Sequence, residues 1–568
     1  MTYDMASLTK KIIRGRPYYY LRQSQRVNGK PKIVSTIYLG PPQRLLDRLL
    51  RPEPAQVALA EFGASAAVFG LARALEVVAT IDRHVPKRGA RGPSVGQYLL
   101  VAALNRCIAP CSKAQLGDWY AKTVLRRLVP LAPGQLTSQR FWDNMARVTP
   151  AQIAAIEEEL TRTAVARFGL DLRALLFDAT NFFTFVDSFN VRATLPQRGH
   201  SKEGRANLRI LGLALLVTAD GEVPLFHHAY AGNQHDAVTF KSVAEELWAR
   251  CRALAQGACD ITLVFDKGNN SADTLRMVGA GPVHFVGSLV PTQHKDLLGL
   301  PRKAMRRLDR TQLPAVWATR TRKVVFGVER TILCTFNQEL FDAQTRTLRR
   351  EIRKRTRKLQ QLTRRLQRRQ PGSRGKAPTV ESVQKQVKEI VHGRHMAELF
   401  TTTVRLGRHR LPRLAVRFRE QAYRQLAATL LGKTIIFTDR TDWSDEQIVL
   451  AYRAQHHVEA DFRRLKDPHY LTFRPTFHWT DQKLRVHAFY CVLALMLLNL
   501  LRRQLAQASL PLSVVKLMDL LTDIREVTLL YPAPPGATQP FARTVLSELD
   551  PTQRKIVDVL GLERYRRS

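Results

Sequence analysis

Two apolar, β-rich runs that each close on an aspartate constrain this chain more than any other feature. The first is DLRALLFDATNFF (171–183), whose strand-like part ends at Asp178, and the second is DITLVFDKGNNS (260–271), ending at Asp266. Short runs of Leu, Val, Ile and Phe bounded by polar residues read as buried strands. Around them, LRILGLALLVTADGEVPLFHHAYAGN reads as two strands joined at Asp220-Gly221, TFKSVAEELWARCRAL as a helix and PVHFVGSLV as a fifth strand. Three strands followed by alternating helix and strand predict a mixed α/β sheet. Taken singly, either aspartate reads as a turn former. Taken together, they stand where ligand groups commonly sit, at strand ends of an α/β sheet.

A third acid lies in YRAQHHVEADFRRLK (452–466), where Tyr452, Glu459 and Lys466 follow one another at intervals of seven. Seven residues are nearly two helical turns, so the three project from one stripe. Val458, Phe462 and Leu465 fall on a neighbouring stripe that faces a core. Thr441, Asp442 or Ser444 can cap this helix, and Asp445 and Glu446 suit its first turn. On an isolated helix, Glu459 would read as a solvated partner of Arg463. Three converging carboxylates repel unless a cation sits among them. Mg²⁺ takes oxygen ligands and leaves positions for phosphate oxygens. Two such ions can activate a hydroxyl and stabilise a leaving oxygen in phosphodiester displacement.

The charge balance points the same way. The 568 residues hold 89 Lys+Arg against 48 Asp+Glu, a net charge of +41, which favours a polyanion as partner, nucleic acid before an anionic membrane. MTYDMASLTKK lacks the apolar core of a secretory signal, and FYCVLALMLLNLL (489–501) is too short to span a bilayer, so a cytoplasmic location is expected. The six cysteines are scattered and outline neither a disulfide framework nor a zinc site. There is no GxxxxGK[ST] loop for ATP and no HExxH.

The pattern divides into segments. GRPYYYLRQSQRVNGKPKIVSTIYLG places β-formers on both sides of Asn28-Gly29, a hairpin within residues 1–50. Residues 51–165 read as helical and possibly DNA-binding, 166–292 as the first part of the sheet core, and 293–432 as an insertion. Residues 433–510 read as the second part of the core and 511–568 as a helical tail. In the insertion, residues 342–369 hold twelve Arg/Lys and two acids around a seam of Leu348, Ile352, Leu359, Leu362 and Leu366. Val380, Val383, Val387 and Ile390 continue the spacing, predicting a helical hairpin. A solvated coiled coil explains this run too, but its excess of one sign argues for phosphate contacts.

FDATNFF, VFDKGNNS and the helix at 452–466 together resemble the DDE transposases of bacterial insertion sequences. They are similar in particular to the insertion-sequence-four group, whose signature is Tyr-x2-Arg-x3-Glu-x6-Lys. Here it reads Tyr452-x2-Gln455-x3-Glu459-x6-Lys466. YYYLRQSQRVNGK, SK (112–113) before GDWY, SKEGRANL, VPLFHHAYAGNQHDAVTF and RPTFHWTDQKLRVHAFYCVLALML also look like one subgroup. The resemblance, running from about residue 15 to 510, implies an RNase H-like mixed-sheet core split by an insertion domain. It implies Asp178, Asp266 and Glu459 as catalytic ligands of two Mg²⁺ ions, with Mn²⁺ able to substitute. It implies that Tyr452 and Lys466 contact DNA phosphates, with Gln455, Arg463 and Lys202 as further contacts. Gln455 replaces the usual Arg, so Gln455→Arg is expected to keep or improve binding of cleaved ends. Trp317 and Trp443 are candidates to stack on a flipped base. The implied activity is cleavage and strand transfer at terminal inverted repeats by a homodimer on DNA. A domesticated, non-cleaving DNA-binding protein on the same fold and a basic coiled-coil scaffold are the alternatives.

Overall fold

The computed structural model describes residues 5–567 apart from 28–29, 50–53, 88, 90–91, 133, 200–203, 205–206, 235, 256–259, 271, 280–282, 372, 408–409, 475 and 532–540. The chain divides into two compact units. One is residues 1–156, 465–475 and 485–568, and the other is 157–464 and 476–484.

The first unit opens with β1 (Met5–Ile13), β2 (Arg16–Val27) and β3 (Lys30–Gly40). They form an antiparallel sheet in that order, so the expected hairpin gains a strand before it. Val27 pairs with Lys30, and Asn28-Gly29, where the turn is expected, lies outside the described residues. After β4 (Gln56–Glu61) come helices, of which Val95–Ile108 is buried along nearly its whole length. Ser94 and Gln97 close a capping box at its start, so its first amides are satisfied as it enters the core.

The second unit is built on a nine-stranded mixed sheet. Its strands are β5 (Ala174–Phe183), β6 (Ile210–Thr218), β7 (Pro224–Ala231), β8 (Thr262–Phe265), β9 (His284–Leu289), β10 (Arg306–Arg307), β11 (Val316–Val325), β12 (Val328–Asn337) and, after an excursion, β15 (Lys433–Thr438). The order across the sheet is β10-β11-β12-β15-β9-β8-β5-β6-β7. β5, β8 and β9 run parallel, and all other neighbours are antiparallel. The expected mixed α/β sheet is present. Strand β5 runs on to Phe183 instead of stopping at Asp178, because β6 continues to pair with it past the end of β8.

The insertion differs from its expected bounds. β11 and β12 join through Phe326-Gly327, both at positive φ as a two-residue type I′ hairpin requires, and they extend the same sheet. β15 lies between β9 and β12, with Ile435 opposite Leu289 on one side and Cys334 on the other. The excursion from the sheet therefore begins after Asn337, not at 293. It opens with a 31-residue helix, Gln338–Arg368, whose first amides are capped by Asn337. Leu348, Leu359, Leu362 and Leu366 are buried along the expected seam, and Val383 and Val387 of the helix Val380–Ile390 join their cluster. Sequence reading missed the hairpin β13 (Phe400–Leu406) and β14 (Pro412–Phe418), whose Phe400 and Leu414 complete that cluster.

Near the C-terminus, β16 (Arg525–Tyr531) and β17 (Phe541–Leu546) pair with β4 in the order β17-β16-β4, so the tail is not purely helical. The helix Asp481–Gln507 is long and apolar enough to cross a membrane by length and composition, but 94% of its most apolar window is buried in the protein.

Candidate active site

The sheet register brings two of the three acids together. Phe177 of β5 pairs in parallel with Phe265 of β8, so Asp178 and Asp266, each one residue further, occupy neighbouring positions on one face. Adjacent strands lie about 4.8 Å apart, which sets the two side chains within reach of one ligand. Both are half-buried. On the next parallel strand, Ser288 donates from Oγ to Asp266 Oδ1 at 3.3 Å, and Asn270 Nδ2 fixes the Ser288 carbonyl at 2.6 Å.

The third acid arrives on a helix that is built as expected but broken once. Ser444 forms a capping box with Gln447, and Asp445 and Glu446 sit in the first turn of the helix Asp445–Ala454. Arg306 binds Asp445 at 3.2 Å and Glu446 at 3.0 Å, holding the Glu446 carboxyl below its ordinary pKa through that hydrogen bond. Gln455 closes this helix, and a second, His456–Lys466, follows at once. Val458, Phe462 and Leu465 are buried as the periodicity requires.

Tyr452 links helix and sheet. Its phenol hydrogen-bonds the Ser288 side chain, and its pKa is raised, first by burial and then by the charges of Asp266 and Glu459, with the Ser288 bond opposing. The chain Tyr452–Ser288–Asp266 and the nearby Glu459 thus occupy one neighbourhood. Glu459 itself is exposed.

The opposite side of the second helix is anchored. Asp461 is fully buried and accepts from Arg464 at 2.6 Å, and Arg464 also pairs with Glu222 in the β6–β7 turn. His457 Nδ1 meets the Ala219 carbonyl of the same turn at 3.2 Å. One face of the helix is fixed, so Glu459 on the other has a defined place. Sequence reading missed Ser288, Asp461 and Glu222. Ser288 and Glu222 take their roles from partners 22 and 242 positions away, and Asp461 from Arg464, which carries it to Glu222.

Other expectations fare differently. Gln455 is buried (7% exposed), so a phosphate contact from its side chain is excluded as the chain is folded, and an Arg there would be a buried cation. Arg463 is exposed and Lys466 half-buried. Lys202 lies outside the described residues. Trp317 carries the Arg302 guanidinium 3.6 Å from its ring centre and Trp443 that of Arg440 at 4.8 Å, so a cation already stacks on each ring.

Among the described residues, no three His, Cys, Asp or Glu side chains form a ready cage for an ion. The fit to a cation rests on donor type and register: three carboxylates, two at paired positions of parallel strands, are hard oxygen donors of the kind Mg²⁺ takes.

A mixed sheet carrying acids on two parallel strands and a third on a packed helix, in a chain of +41, defines a basic protein with an acidic site. The chain matches the family described as "Transposase DDE domain" over residues 183–497, more than half its length. It belongs to that family. The match takes in Asp266 and Glu459 and begins five residues after Asp178. Among solved structures, the chain is similar to a piggyBac transposase synaptic complex with hairpin DNA. That match has 8% identity and a TM-score of 0.36, and covers 83% of this chain and 82% of that one. No curated protein matches.

Proposed function

We propose that this protein is an active DNA transposase that cleaves phosphodiester bonds at the terminal inverted repeats of its own insertion sequence and joins the freed ends to target DNA. The observation that carries the reading is the register of Asp178 beside Asp266, with Glu459 drawn to the same neighbourhood around Tyr452. The strand order β7-β6-β5-β8-β9, with β6 alone antiparallel between β5 and β7 and the next three parallel, supports an RNase H-like core. The spacing Tyr452–Glu459–Lys466 supports membership of the insertion-sequence-four group despite Gln455.

In this reading Asp178, Asp266 and Glu459 hold two Mg²⁺ ions, with Mn²⁺ able to substitute. Bound divalent ions would supply activation of the attacking hydroxyl and neutralisation of the leaving oxygen. The chain's own residues do the rest. Ser288 and Asn270 orient Asp266. Tyr452 packs the Glu459 helix against the sheet, and Lys466 and Arg463 present donors to phosphate oxygens. The exposed arginines of the helix Gln338–Arg368, Arg353, Arg357, Arg364 and Arg368 among them, hold the flanking duplex. The partner is double-stranded DNA, bound by a homodimer in the bacterial cytoplasm.

The test is DNA cleavage. Purified protein with Mg²⁺ or Mn²⁺ should nick DNA carrying the inverted repeats that flank its gene, and Asp178→Ala, Asp266→Ala and Glu459→Ala should each stop this while DNA is still bound. Cleavage that survives any one of these changes removes that residue from the site.

A further inference from the structure

The helix that carries Glu459 ends at Lys466, and the segment behind it, 465–475, is held in an unusual way. Phe473 donates its amide to the Leu465 carbonyl at 2.8 Å, and the Arg474 guanidinium donates to the Lys466 carbonyl at 2.7 Å. The last two carbonyls of the helix are therefore each closed by a residue eight positions further on. That closure needs a sharp return, and Leu471 supplies it at φ 59, a left-handed conformation that costs a branched residue free energy.

Two buried side chains secure the return. Arg106, only 3% exposed, donates from one nitrogen to the carbonyls of Thr472 (3.3 Å) and Arg474 (3.2 Å) and from another to that of Cys111 (3.0 Å). Its own carbonyl accepts the Leu471 amide at 2.8 Å. His487, fully buried, meets the intervening carbonyl, Phe473, through Nε2 at 2.6 Å. Three successive carbonyls, 472 to 474, are each held by one of these two residues.

The polarity of the chain behind His487 follows from chemistry. A carbonyl only accepts, so Nε2 carries the proton, and Nδ1 of the neutral ring accepts from the Tyr490 hydroxyl at 2.5 Å. Tyr490 in turn accepts from Lys113 Nζ at 2.7 Å. The Lys113 amine lies over the rings of Phe141 and Tyr490 at 5.5 and 5.2 Å. Lys113 faces Arg106, Cys111 and Cys491, and burial, then Arg106, lower its pKa to about 7.

We propose that Arg106 and His487 are positioning residues for Lys466, with Tyr490 and Lys113 fixing the tautomer and orientation of His487. The inference rests on the transposase reading, in which Lys466 grips a cleaved DNA end. It assigns to buried residues of the helical unit a part in end recognition that neither the family match nor the acid site contains.

The experiment compares binding of a linear duplex with free 3′-hydroxyl ends against a closed circle of the same sequence, with Lys466→Ala, His487→Leu and their double mutant. His487→Leu should lower end preference about tenfold. His487→Gln, which keeps a donor toward Phe473, should restore most of it. In the double mutant the loss should equal that of Lys466→Ala alone, because His487 acts through Lys466. Lys113→Met, at a partly exposed position, should give a smaller loss in the same sense and guards against a His487→Leu chain that does not fold. Additive losses in the double mutant, or unchanged end preference in both His487→Leu and Lys113→Met, would overturn the proposal. A wild-type chain that binds ends no better than circles but cleaves DNA sinks this inference alone, whereas one that neither binds nor cleaves DNA sinks the functional reading with it.

Discussion

In the sheet unit, carboxylates stand half-buried or exposed next to one another: Asp178 and Asp266 on paired strands, Glu459 on the helix beside them. In the helical unit the arrangement is inverted. Arg106 and Lys113 lie close together inside the fold, where Arg106 donates to carbonyl oxygens and Lys113 to a phenol. Burying like charges is costly unless each finds its hydrogen bonds. Arg106 finds three carbonyls, and Lys113 responds with a lowered pKa. The contrast separates two uses of charge. Acids kept near solvent can meet a cation and a phosphate. Cations turned inward onto backbone set geometry.

Substitution at the two places should therefore separate activity from stability. The largest effect is expected at the acids: Asp266→Ala should lower cleavage by at least about a thousandfold, the scale of losing a catalytic group that acts as part of a unit. Its unfolding midpoint in urea should stay close to wild type. Arg106→Met should do the reverse in kind, costing about 2–4 kcal/mol of stability by stranding carbonyls of the 472–474 return. Equal destabilisation by both changes would erase the distinction.

Next in size, Lys466→Ala should weaken binding of pre-cleaved ends by about 1.5–3 kcal/mol, the range for a hydrogen bond to a charged group. A gel shift on nicked and intact duplexes measures it. Gln455→Arg, one turn before Glu459, should lower stability and bring no gain in end binding, since position 455 is buried. Tighter end binding by that variant would mean the side chain reaches DNA after all.

Smaller changes are expected from the exposed cations and from pH. Replacing Arg353, Arg357, Arg364 and Arg368 by Gln should flatten the slope of log K against log salt by up to about 0.9 for each phosphate no longer neutralised. An unchanged slope would return the Gln338–Arg368 helix to a solvated role. Lys113 has a pKa of about 7 in the folded chain against an ordinary value of 10.5. Between those values the unfolded chain binds more protons, so this group makes stability rise with pH from about 7 to about 10.5. Thermal unfolding across that window should show the rise in wild type and a weaker one in Lys113→Met.

Much of the fold was legible because it is written locally. The apolar runs before Asp178 and Asp266 are strands, the Ser444 cap opens its helix, and the leucine seam of 348–366 is buried where its spacing put it. Charge, the three acids and the spacing of Tyr452, Glu459 and Lys466 need no coordinates, since they are properties of residue type and interval. What only the tertiary structure decided are matters of pairing between distant residues. Asp178 proved to lie inside a strand because β6 extends it, and β11 and β12 proved to belong to the core because β15 returns to lie between β9 and β12. Gln455 turned out buried, although it shares a stripe with the exposed Glu459. The hold of Arg106 on the carbonyl of Thr472 spans 366 positions. Helix and strand periodicity extend over a few turns or pairs, whereas which carbonyl a buried guanidinium reaches is set by how the whole chain packs.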